Sequence, residues 1–379
     1  MTDAARSKAA VDSFTYHGGN LGAARRLFPD APQPWIDLST GINPHAYPLP
    51  ALHAESWTRL PECVDLTRLE AVAANRYGVA EPGNVIAAPG TQMLIQMIAR
   101  LLAPARVGIL GHTYGGHSEA WRGTGAQFDS VSTIGALAAF EVAVIVNPNN
   151  PDGRLVARAD LLELVLALAR NNGVLIVDEA FIDLIEGEAS LAPALPASRT
   201  IVLRSFGKTY GLAGLRLGFA IASPDLAEPL RAALGAWPVS GPALAIGAAA
   251  LADEGWLGGT RGLLKAEAQR LDAILAAAGA SVLGGTSLFR LIDHPRALEL
   301  FAQLLQRGIL ARPFAGRPSR LRFGLPGGSE AWARLEQALA EFGRRGKPHF
   351  GRVSNDFNAL DAARGTFSIR QLYNIIYKY

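Results

Sequence analysis

Six short, nearly continuous apolar runs between residues 85 and 223 constrain the fold of this chain more than any other feature. They occupy residues 85–88, 107–110, 142–146, 174–177, 201–203 and 217–221, and helical segments separate most of them. Strands of this kind are covered on both faces, which is typical of a mostly parallel sheet flanked by helices. The pattern therefore predicts an α/β fold, and 379 residues predict more than one domain.

Changes in composition predict four segments. Residues 56–234 form a large domain around a mostly parallel, seven-stranded-type sheet, and residues 235–345 form a smaller α+β domain. Residues 1–55, rich in Pro and Gly, are expected to pack with the small domain. Residues 346–379 turn to Asn, Phe, Tyr and Ile and form a tail whose origin the sequence does not define.

Composition and charge argue against several functional classes. The net charge is +3 without any block of like charge, which argues against nucleic acid and weakly for small anionic ligands. No run approaches the roughly 18 apolar residues of a membrane span, and the first residues lack the apolar core of a signal peptide. The chain has a single cysteine, Cys63, so it cannot form an internal disulfide. We expect a cytoplasmic protein with no membrane partner.

A lysine follows the fifth apolar run, in Ser205-Phe206-Gly207-Lys208, and Arg216 comes eight residues later. An amine at a strand end can form an imine with an aldehyde, while a hydroxyl and a guanidinium suit a phosphate dianion. Pyridoxal phosphate (PLP) carries both groups, so this segment could hold it at both ends. Taken alone, the Ser-x-x-Lys pattern more often marks a surface lysine after a strand.

Two more motifs follow strand runs. Gly90-Thr91-Gln92 opens a predicted helix over 93–102, and backbone N–H groups at a helix N-terminus bind anions. Thr91 is equally compatible with a simple N-cap. Tyr114 ends the next strand region, where its ring could stack on a flat cofactor or pack in the core.

An amide and a carboxylate follow the third and fourth runs. Asn150 lies in the turn sequence 147–151 (Asn-Pro-Asn-Asn-Pro), which could aim its carboxamide at a phenolate oxygen. Asp178 closes a buried strand and needs a partner, such as a protonated pyridine nitrogen. A helix cap or a metal ion are alternatives, but no His or second carboxylate stands at metal-ligand spacing, so no metal is predicted. Glu179 is expected to point to the opposite face of the strand.

In this order, and each at a strand end, these residues resemble the fold type I PLP enzymes, the aspartate-aminotransferase-like superfamily, over residues 16–342. The resemblance implies a PLP-dependent transferase-like fold, PLP as cofactor and a homodimer. It makes Lys208, Asp178 and Tyr114 the catalytic residues, with Lys208 forming the imine and Asp178 meeting the ring nitrogen. The other cofactor-binding residues that it implies are Gly90, Thr91, Gln92, Asn150, Ser205 and Arg216.

The sequence departs from the family pattern at two positions. Phe181 stands where many relatives carry a Tyr beside the phenolate oxygen, so Asn150 is expected to act alone there. Leu60 precedes Pro61 where relatives often have a Tyr that reaches the partner subunit's phosphate. That substitution puts the intersubunit contact in question.

The N-terminus bears on the reaction. Residues 16–20 (Tyr-His-Gly-Gly-Asn) and 37–44 resemble the opening of threonine-phosphate decarboxylases of cobalamin biosynthesis. The resemblance implies decarboxylation of L-threonine O-3-phosphate, a small anionic amino-acid phosphate, to (R)-1-amino-2-propanol O-2-phosphate. Arg322 matches the family's arginine for the substrate carboxylate. The remaining substrate-binding candidates are His17, Gly19, Asn20, Gly41 and Asn43.

Two alternatives stay open. A histidinol-phosphate-type aminotransferase would use the same motifs, because the cofactor is the electron sink in both reactions and the protein selects the bond that breaks. Histidinol-phosphate aminotransferases usually lack the His-Gly-Gly element. A non-catalytic PLP-binding domain is less expected, since no helix-turn-helix module precedes residue 16.

Overall fold

The computed structural model describes residues 14–15, 17–195 and 199–344. The chain divides into two compact units. His45–Leu263 form the large unit, and the described parts of Met1–Pro44 and Leu264–Tyr379 form the small unit. The predicted tail over 346–379 lies outside the described residues, and the predicted domain boundaries at 55, 234 and 345 stay predictions.

A seven-stranded sheet organises the large unit. Its strands are β2 (Val85–Ala88), β3 (Arg106–Leu110), β4 (Gln127–Val131), β5 (Val142–Val146), β6 (Val174–Asp178), β7 (Thr200–Ser205) and β8 (Gly218–Ala222). Their order across the sheet is β2-β8-β7-β6-β5-β3-β4. Strands β3 to β7 pair in parallel, whereas β8 is antiparallel to both β2 and β7. The prediction of a mostly parallel sheet is confirmed.

Helices cover the sheet on both faces. In the large unit they are α2 (Glu55–Thr58), α3 (Cys63–Tyr77), α4 (Thr91–Leu102), α5 (Gly115–Arg122), α6 (Arg158–Ala169), α7 (Phe206–Thr209), α8 (Pro224–Leu234) and α9 (Gly241–Ala252). A further helix, α10 (Glu254–Ala277), carries the chain from the large unit into the small unit.

The apolar runs are continuous because neighbouring residues of each strand enter different cores. Val177 packs in the core that contains Leu69 of α3 and Leu161 of α6. Ile176 packs on the other face, in the core that contains Leu94 of α4. Burying each such side chain contributes about 1.5–3 kcal/mol, so both layers of helices are held firmly to the sheet.

The small unit contains a four-stranded antiparallel sheet in the order β12-β13-β10-β9. These strands are β9 (Ser281–Thr286), β10 (Phe289–Asp293), β12 (Arg312–Pro313) and β13 (Arg320–Gly324). The N-terminal strand β1 (Ile36–Asp37) pairs in parallel with β11 (Ile309–Leu310). The helices of this unit are α1 (Leu21–Leu27), α11 (Ala297–Gln306) and α12 (Gly328–Arg344).

Within the ranges that the structure describes, every helix is too short or too polar to cross a membrane.

Candidate active site

The sheet brings the predicted cofactor residues to one edge. Asp178 is the last residue of β6, and Ser205 is the last residue of β7. Gly90, Tyr114 and Asn150 follow β2, β3 and β5, which run in the same direction as β6 and β7. Because the carboxyl ends of parallel strands meet at one edge of a sheet, these residues converge there, where α/β folds bind their ligands.

Gly90 and Arg216 lie against each other at this edge. Gly90 has a φ of +85°, and a Cβ atom added to it would lie 3.0 Å from Nη2 of Arg216. Glycine is therefore required for both the backbone conformation and the close approach. Arg216 itself adopts a left-handed conformation, with a φ of 56°, directly before β8. Such conformations cluster at ligand sites, and this one brings the guanidinium beside the start of α4.

Helix α4 begins one residue earlier than a capping role for Thr91 would require. Gly90 occupies the N-cap position, and Thr91 is the first helical residue. The interpretation of Thr91 as an N-cap is thus wrong, because the positive φ of the preceding position admits glycine readily. The first N–H groups of α4 point towards the edge that holds Arg216, as an anion site requires.

Tyr114 is fixed by the first turn of the same helix. Its hydroxyl donates to Oε1 of Gln92 over 2.8 Å. A Cβ atom on Gly116 would lie 2.5 Å from Cε1 of Tyr114, so any side chain at position 116 would clash with this ring. Gln92 and Tyr114 were both predicted, whereas the role of Gly116 was missed.

Asp178 has a partner that the sequence did not reveal. Nε2 of His117 donates to Oδ2 of Asp178 over 3.0 Å, and the N–H of Ala180 donates to Oδ1 over 3.1 Å. Asp178 and His117 are 4% and 2% exposed. His117 lies three residues after Tyr114 on α5, and its ring meets that of Tyr114 edge to face with centroids 6.2 Å apart. These two hydrogen bonds fix the orientation of the carboxylate at the end of β6.

Two other asparagines build the turn that carries Asn150. Asn147 donates to the carbonyl of Val156 and accepts from its N–H, at 3.1 and 2.8 Å. Asn149 donates to Asp152 over 2.8 Å and accepts from Thr113 over 2.6 Å. The predicted rigid turn is present, and Asn150 is buried within it.

Lys208 lies in the short helix α7, half-buried, and aromatic stacking holds that helix. The rings of Phe206 and Tyr210 stack with centroids 4.4 Å apart, and Trp256 stacks on Tyr210 at 5.5 Å. A Cβ atom on Gly207 would lie 2.7 Å from Cα of Ala213. The glycine before Lys208 is therefore needed because the backbone at Ala213 passes so close to it.

Two buried guanidiniums lie side by side in the small unit. Arg312 of β12 is directly opposite Arg322 of β13, and the two residues are 8% and 2% exposed. Nη2 of Arg322 donates to the carbonyl of Ser39 over 2.7 Å, and its guanidinium lies 4.9 Å from the centre of the Phe289 ring. Burial and the charge of Arg312 lower the pKa of Arg322 well below its usual value, while Asp37 opposes them. Arg312 was not predicted as a site residue.

The N-terminal motif packs on the loop that Arg322 contacts. The N–H of Gly19 donates to Oγ of Ser39 over 2.7 Å, and Ser39 donates to Oδ1 of Asp37 over 2.5 Å. A Cβ atom on Gly18 would lie 2.3 Å from the carbonyl oxygen of Ser39. Close packing against this loop thus explains Gly18, whereas Gly19 has a φ of +89°, a conformation that favours glycine.

The other N-terminal candidates occupy different positions. Oδ1 of Asn20 accepts from the N–H of Ala23, so Asn20 caps α1. His17 is exposed, whereas Gly41 and Asn43 are buried in the loop that follows β1. The structure places these residues and Arg322 in the small unit, and Lys208 and Asp178 in the large unit.

The donor set at the sheet edge fits PLP. An amine follows β7, a carboxylate held by His117 ends β6, and the N–H groups of α4, Ser205 and Arg216 are donors of the kind that a phosphate requires. The glycine at position 90 keeps open a cradle that a Cβ atom would fill.

The fold and this strand-end arrangement define an α/β protein of the aspartate-aminotransferase type. The chain belongs to the aminotransferase class I and II family, whose model matches residues 33–340. In structure it is similar to the histidinol-phosphate aminotransferase from Sinorhizobium meliloti in complex with pyridoxal-5'-phosphate. The TM-score is 0.75 at 21% identity, covering 86% of this chain and 95% of that chain.

Sequence similarity is higher to another activity within the family. Threonine-phosphate decarboxylases from Pseudomonas aeruginosa and Sinorhizobium sp. are each 41% identical to this chain, over 86% of its length and 97% of theirs. The histidinol-phosphate aminotransferase from Aromatoleum aromaticum is 30% identical over 74% of this chain and 84% of that protein.

Proposed function

We propose that this chain is a PLP-dependent decarboxylase of L-threonine O-3-phosphate that forms (R)-1-amino-2-propanol O-2-phosphate for cobalamin biosynthesis. The observation that carries the proposal is the 41% identity to threonine-phosphate decarboxylases along nearly their whole length. The strand-end donor set supports it, since each part of the cofactor finds a matching residue.

The residues of the large unit would hold the cofactor. Gly90, Thr91, Ser205 and Arg216 bind the phosphate, Tyr114 covers the ring, and Asn150 meets the phenolate oxygen. Asp178, oriented by its hydrogen bond to His117, would accept a hydrogen bond from the protonated pyridine nitrogen. When bound, PLP supplies an electron sink for the bond that breaks at Cα. Lys208 attaches the cofactor and is the general acid that protonates Cα after carbon dioxide leaves.

The two buried arginines of the small unit would bind the substrate. L-threonine O-3-phosphate carries a carboxylate and a phosphate, and guanidiniums pair with both groups through two parallel hydrogen bonds. Arg312 and Arg322 lie directly opposite each other, so an anionic ligand relieves the repulsion between two buried cations. We assign Arg322 to the carboxylate and Arg312 to the second anionic group.

A histidinol-phosphate-type aminotransferase is the second candidate, favoured by the structural likeness and the 30% identity. The two candidates differ in the fate of the substrate carboxylate. The PLP-loaded protein is incubated with L-threonine O-3-phosphate, and carbon dioxide and amines are measured without any 2-oxo acid. Sustained release of carbon dioxide is expected.

A parallel incubation contains histidinol phosphate and 2-oxoglutarate. Stoichiometric formation of glutamate there would favour the aminotransferase. Binding of PLP with turnover of neither substrate would favour the non-catalytic alternative.

We also propose a homodimer that acts in the cytoplasm. Large apolar side chains are exposed on the large unit, including Trp57 at 70%, Trp237 at 57%, Leu49 and Leu60. Leu49 and Trp57 line an open groove of about 770 Å³. Large exposed apolar side chains of this kind are typical of protein interfaces, and a second copy of the chain is the partner we propose. The single cysteine is consistent with a reducing compartment.

A further inference from the structure

A buried ion cluster lies on the face of the sheet opposite Asp178. Arg204 and Glu179 are 5% and 0% exposed, and Nη1 of Arg204 donates to Oε2 of Glu179 over 3.0 Å. Nη2 of Arg204 also pairs with Asp183. The chemistry proposed above uses none of these three side chains.

Two residues of the cluster are adjacent in the chain to candidate site residues, one at the end of β6 and one at the end of β7. Glu179 directly follows Asp178, and Arg204 directly precedes Ser205. Successive side chains of a strand point to opposite faces, so each pair puts one residue towards the cofactor site and the other behind it. As predicted, Glu179 points away from Asp178, and its carboxylate contacts Leu191 and Arg204.

The ion pair bridges the same two strands that carry the site. Asp178 of β6 is in register with Leu203 of β7, and the N–H of Glu179 donates to the carbonyl of Leu203 over 2.9 Å. That bond is the last one between the two strands before Lys208. The Arg204–Glu179 pair adds a side-chain link at the point where the backbone ladder ends.

Further hydrogen bonds fix the carboxylate of Glu179. Oε1 accepts from the N–H of Leu191 over 2.7 Å, and Oε2 accepts from Oγ of Ser190 over 2.6 Å. Arg204 also donates to Oγ of Ser190 over 3.1 Å, and its guanidinium lies 4.2 Å from the centre of the Tyr77 ring. Together these hydrogen bonds hold the Glu179 carboxylate in a single orientation.

The cluster also holds the segment that follows Asp178. Asp183 accepts from Arg204 through its side chain, and its carbonyl accepts from Nε of Arg261 over 2.8 Å. A buried ion pair is a weak stabilising device, because its desolvation offsets most of its Coulomb attraction. Its position behind the site therefore favours a geometric role.

We propose that Arg204 and Glu179 are positioning residues for the cofactor site. Their ion pair fixes the carboxyl end of β6 relative to that of β7, and with it Asp178 relative to Ser205 and Lys208. This inference rests on the proposed function, since it requires that this edge of the sheet binds PLP.

The matched control is a second Arg–Glu pair of the large unit. Arg231 donates to both carboxylate oxygens of Glu70, at 2.9 and 2.8 Å, and to the carbonyl of Val85 over 2.7 Å. Val85 begins β2, so this pair lies towards the other end of the sheet. Arg231→Met breaks an Arg–Glu pair that is bound to β2 and not to β6 or β7.

The test compares Arg204→Met with Arg231→Met by thermal unfolding and by titration of the apoprotein with PLP. Arg204→Met is expected to raise the dissociation constant for PLP roughly tenfold or more, as loss of an outer-shell partner does, and to shift the visible absorption band. Arg231→Met is expected to lower the melting temperature and leave both properties as in the wild type. Arg204→Lys, which keeps the charge, is expected to restore PLP binding in part.

Equal PLP binding and an equal visible band in all variants would overturn the inference. If Arg204→Met does not fold, the test uses Glu179→Gln, for which the same shift of the band and the same weaker binding are expected, and Arg204→Lys, for which a smaller change in the same direction is expected. Unchanged binding in these two would also overturn it. A wild-type protein that fails to bind PLP would instead refute the proposed function, and this inference with it.

Discussion

A buried carboxylate such as that of Asp178 needs hydrogen-bond donors, and the chain supplies them from two directions. The backbone N–H of Ala180 comes from the same strand end, and His117 comes from a helix that follows another strand. Removing either donor would leave a buried acceptor unsatisfied, which costs about 1–3 kcal/mol. At the scale of single residues, each functional side chain of the candidate site depends on a neighbouring residue that fixes its orientation.

Lys208 is the residue with the most direct test. Lys208→Ala removes the amine that attaches the cofactor and returns a proton to Cα, so the visible band of the PLP-loaded protein is expected to disappear. Release of carbon dioxide is expected to fall at least about 10³-fold, as when a nucleophile is deleted. Both are measured on the purified protein, with Lys265→Ala, an exposed lysine of α10, as the control. An unchanged spectrum would remove Lys208 from its role.

Substitution of Gly90 tests the proposed phosphate site, and substitution of a glycine elsewhere in the chain, Gly125, serves as the control. Gly90→Ala and Gly125→Ala both put a side chain at positive φ, +85° and +80°, which strains the backbone and costs on the order of 1–3 kcal/mol at each site. At Gly90 the new Cβ also lies 3.0 Å from Arg216, whereas at Gly125 it meets no atom of the described residues within 4 Å. We expect similar losses in melting temperature but weaker PLP binding for Gly90→Ala alone. Equal PLP affinities would contradict the assignment of Gly90.

The residues that sequence reasoning found are those that follow a recognisable strand. Lys208, Asp178 and Gly90 each stand one to five residues after the end of an apolar run, so local pattern was enough to propose them. His117 is 61 positions from Asp178, and no local pattern connects them. Arg312 pairs with Arg322 across a hairpin whose short strand, Arg312–Pro313, has no apolar run. Contacts of this kind depend on packing rather than on spacing in the chain.

At the scale of strands and helices, burial decided what the sequence could predict. The runs of β5 and β6 are buried at every position and were predicted within a residue. β4 was missed because its residues, Gln127–Val131, are mostly exposed and carry no apolar run. β9 pairs with β10 in a hairpin, and no apolar run marks β9 because Gly284 and Gly285 lie within it.

The pairing of β12 with β13 places Arg312 opposite Arg322, which leads to a prediction about substrate binding. Arg312→Met is expected to raise KM for L-threonine O-3-phosphate about tenfold or more, since it removes a charge-assisted contact. Stability is expected to be unchanged or higher, because one of two buried like charges is lost. Steady-state kinetics and thermal unfolding check these outcomes, with Arg317→Met in the turn between the strands as control. An unchanged KM would exclude Arg312 from the substrate site.

At the scale of the whole molecule, the candidate site residues belong to two units. The large unit carries the PLP-binding candidates on its sheet edge, and the small unit carries the paired arginines and the N-terminal loop. The α/β class followed from the sequence because the sheet of the large unit is built from buried runs. The domain boundaries did not follow with the same certainty, since α10 runs through the point where the units meet in the chain.

The exposed apolar surface of the large unit predicts how the chain assembles. Trp57→Glu combined with Trp237→Glu is expected to convert a dimer into a folded monomer, because charges in an apolar interface lose their hydration without gaining partners. Light scattering after size exclusion measures the mass, and circular dichroism checks the fold. Leu166→Glu on α6, at an equally exposed position, is the control and should stay dimeric. A wild-type monomer at micromolar concentration would contradict the proposed assembly.

The fate of the substrate carboxylate tests the central claim most directly. L-threonine O-3-phosphate labelled with ¹³C at the carboxylate is incubated with the PLP-loaded protein in the absence of any 2-oxo acid, and the label is followed by NMR. We predict that the label moves completely into carbon dioxide and bicarbonate, while an equal amount of aminopropanol phosphate forms. Retention of the label in an amino or oxo acid, with nitrogen transferred to an added 2-oxo acid, would contradict the account.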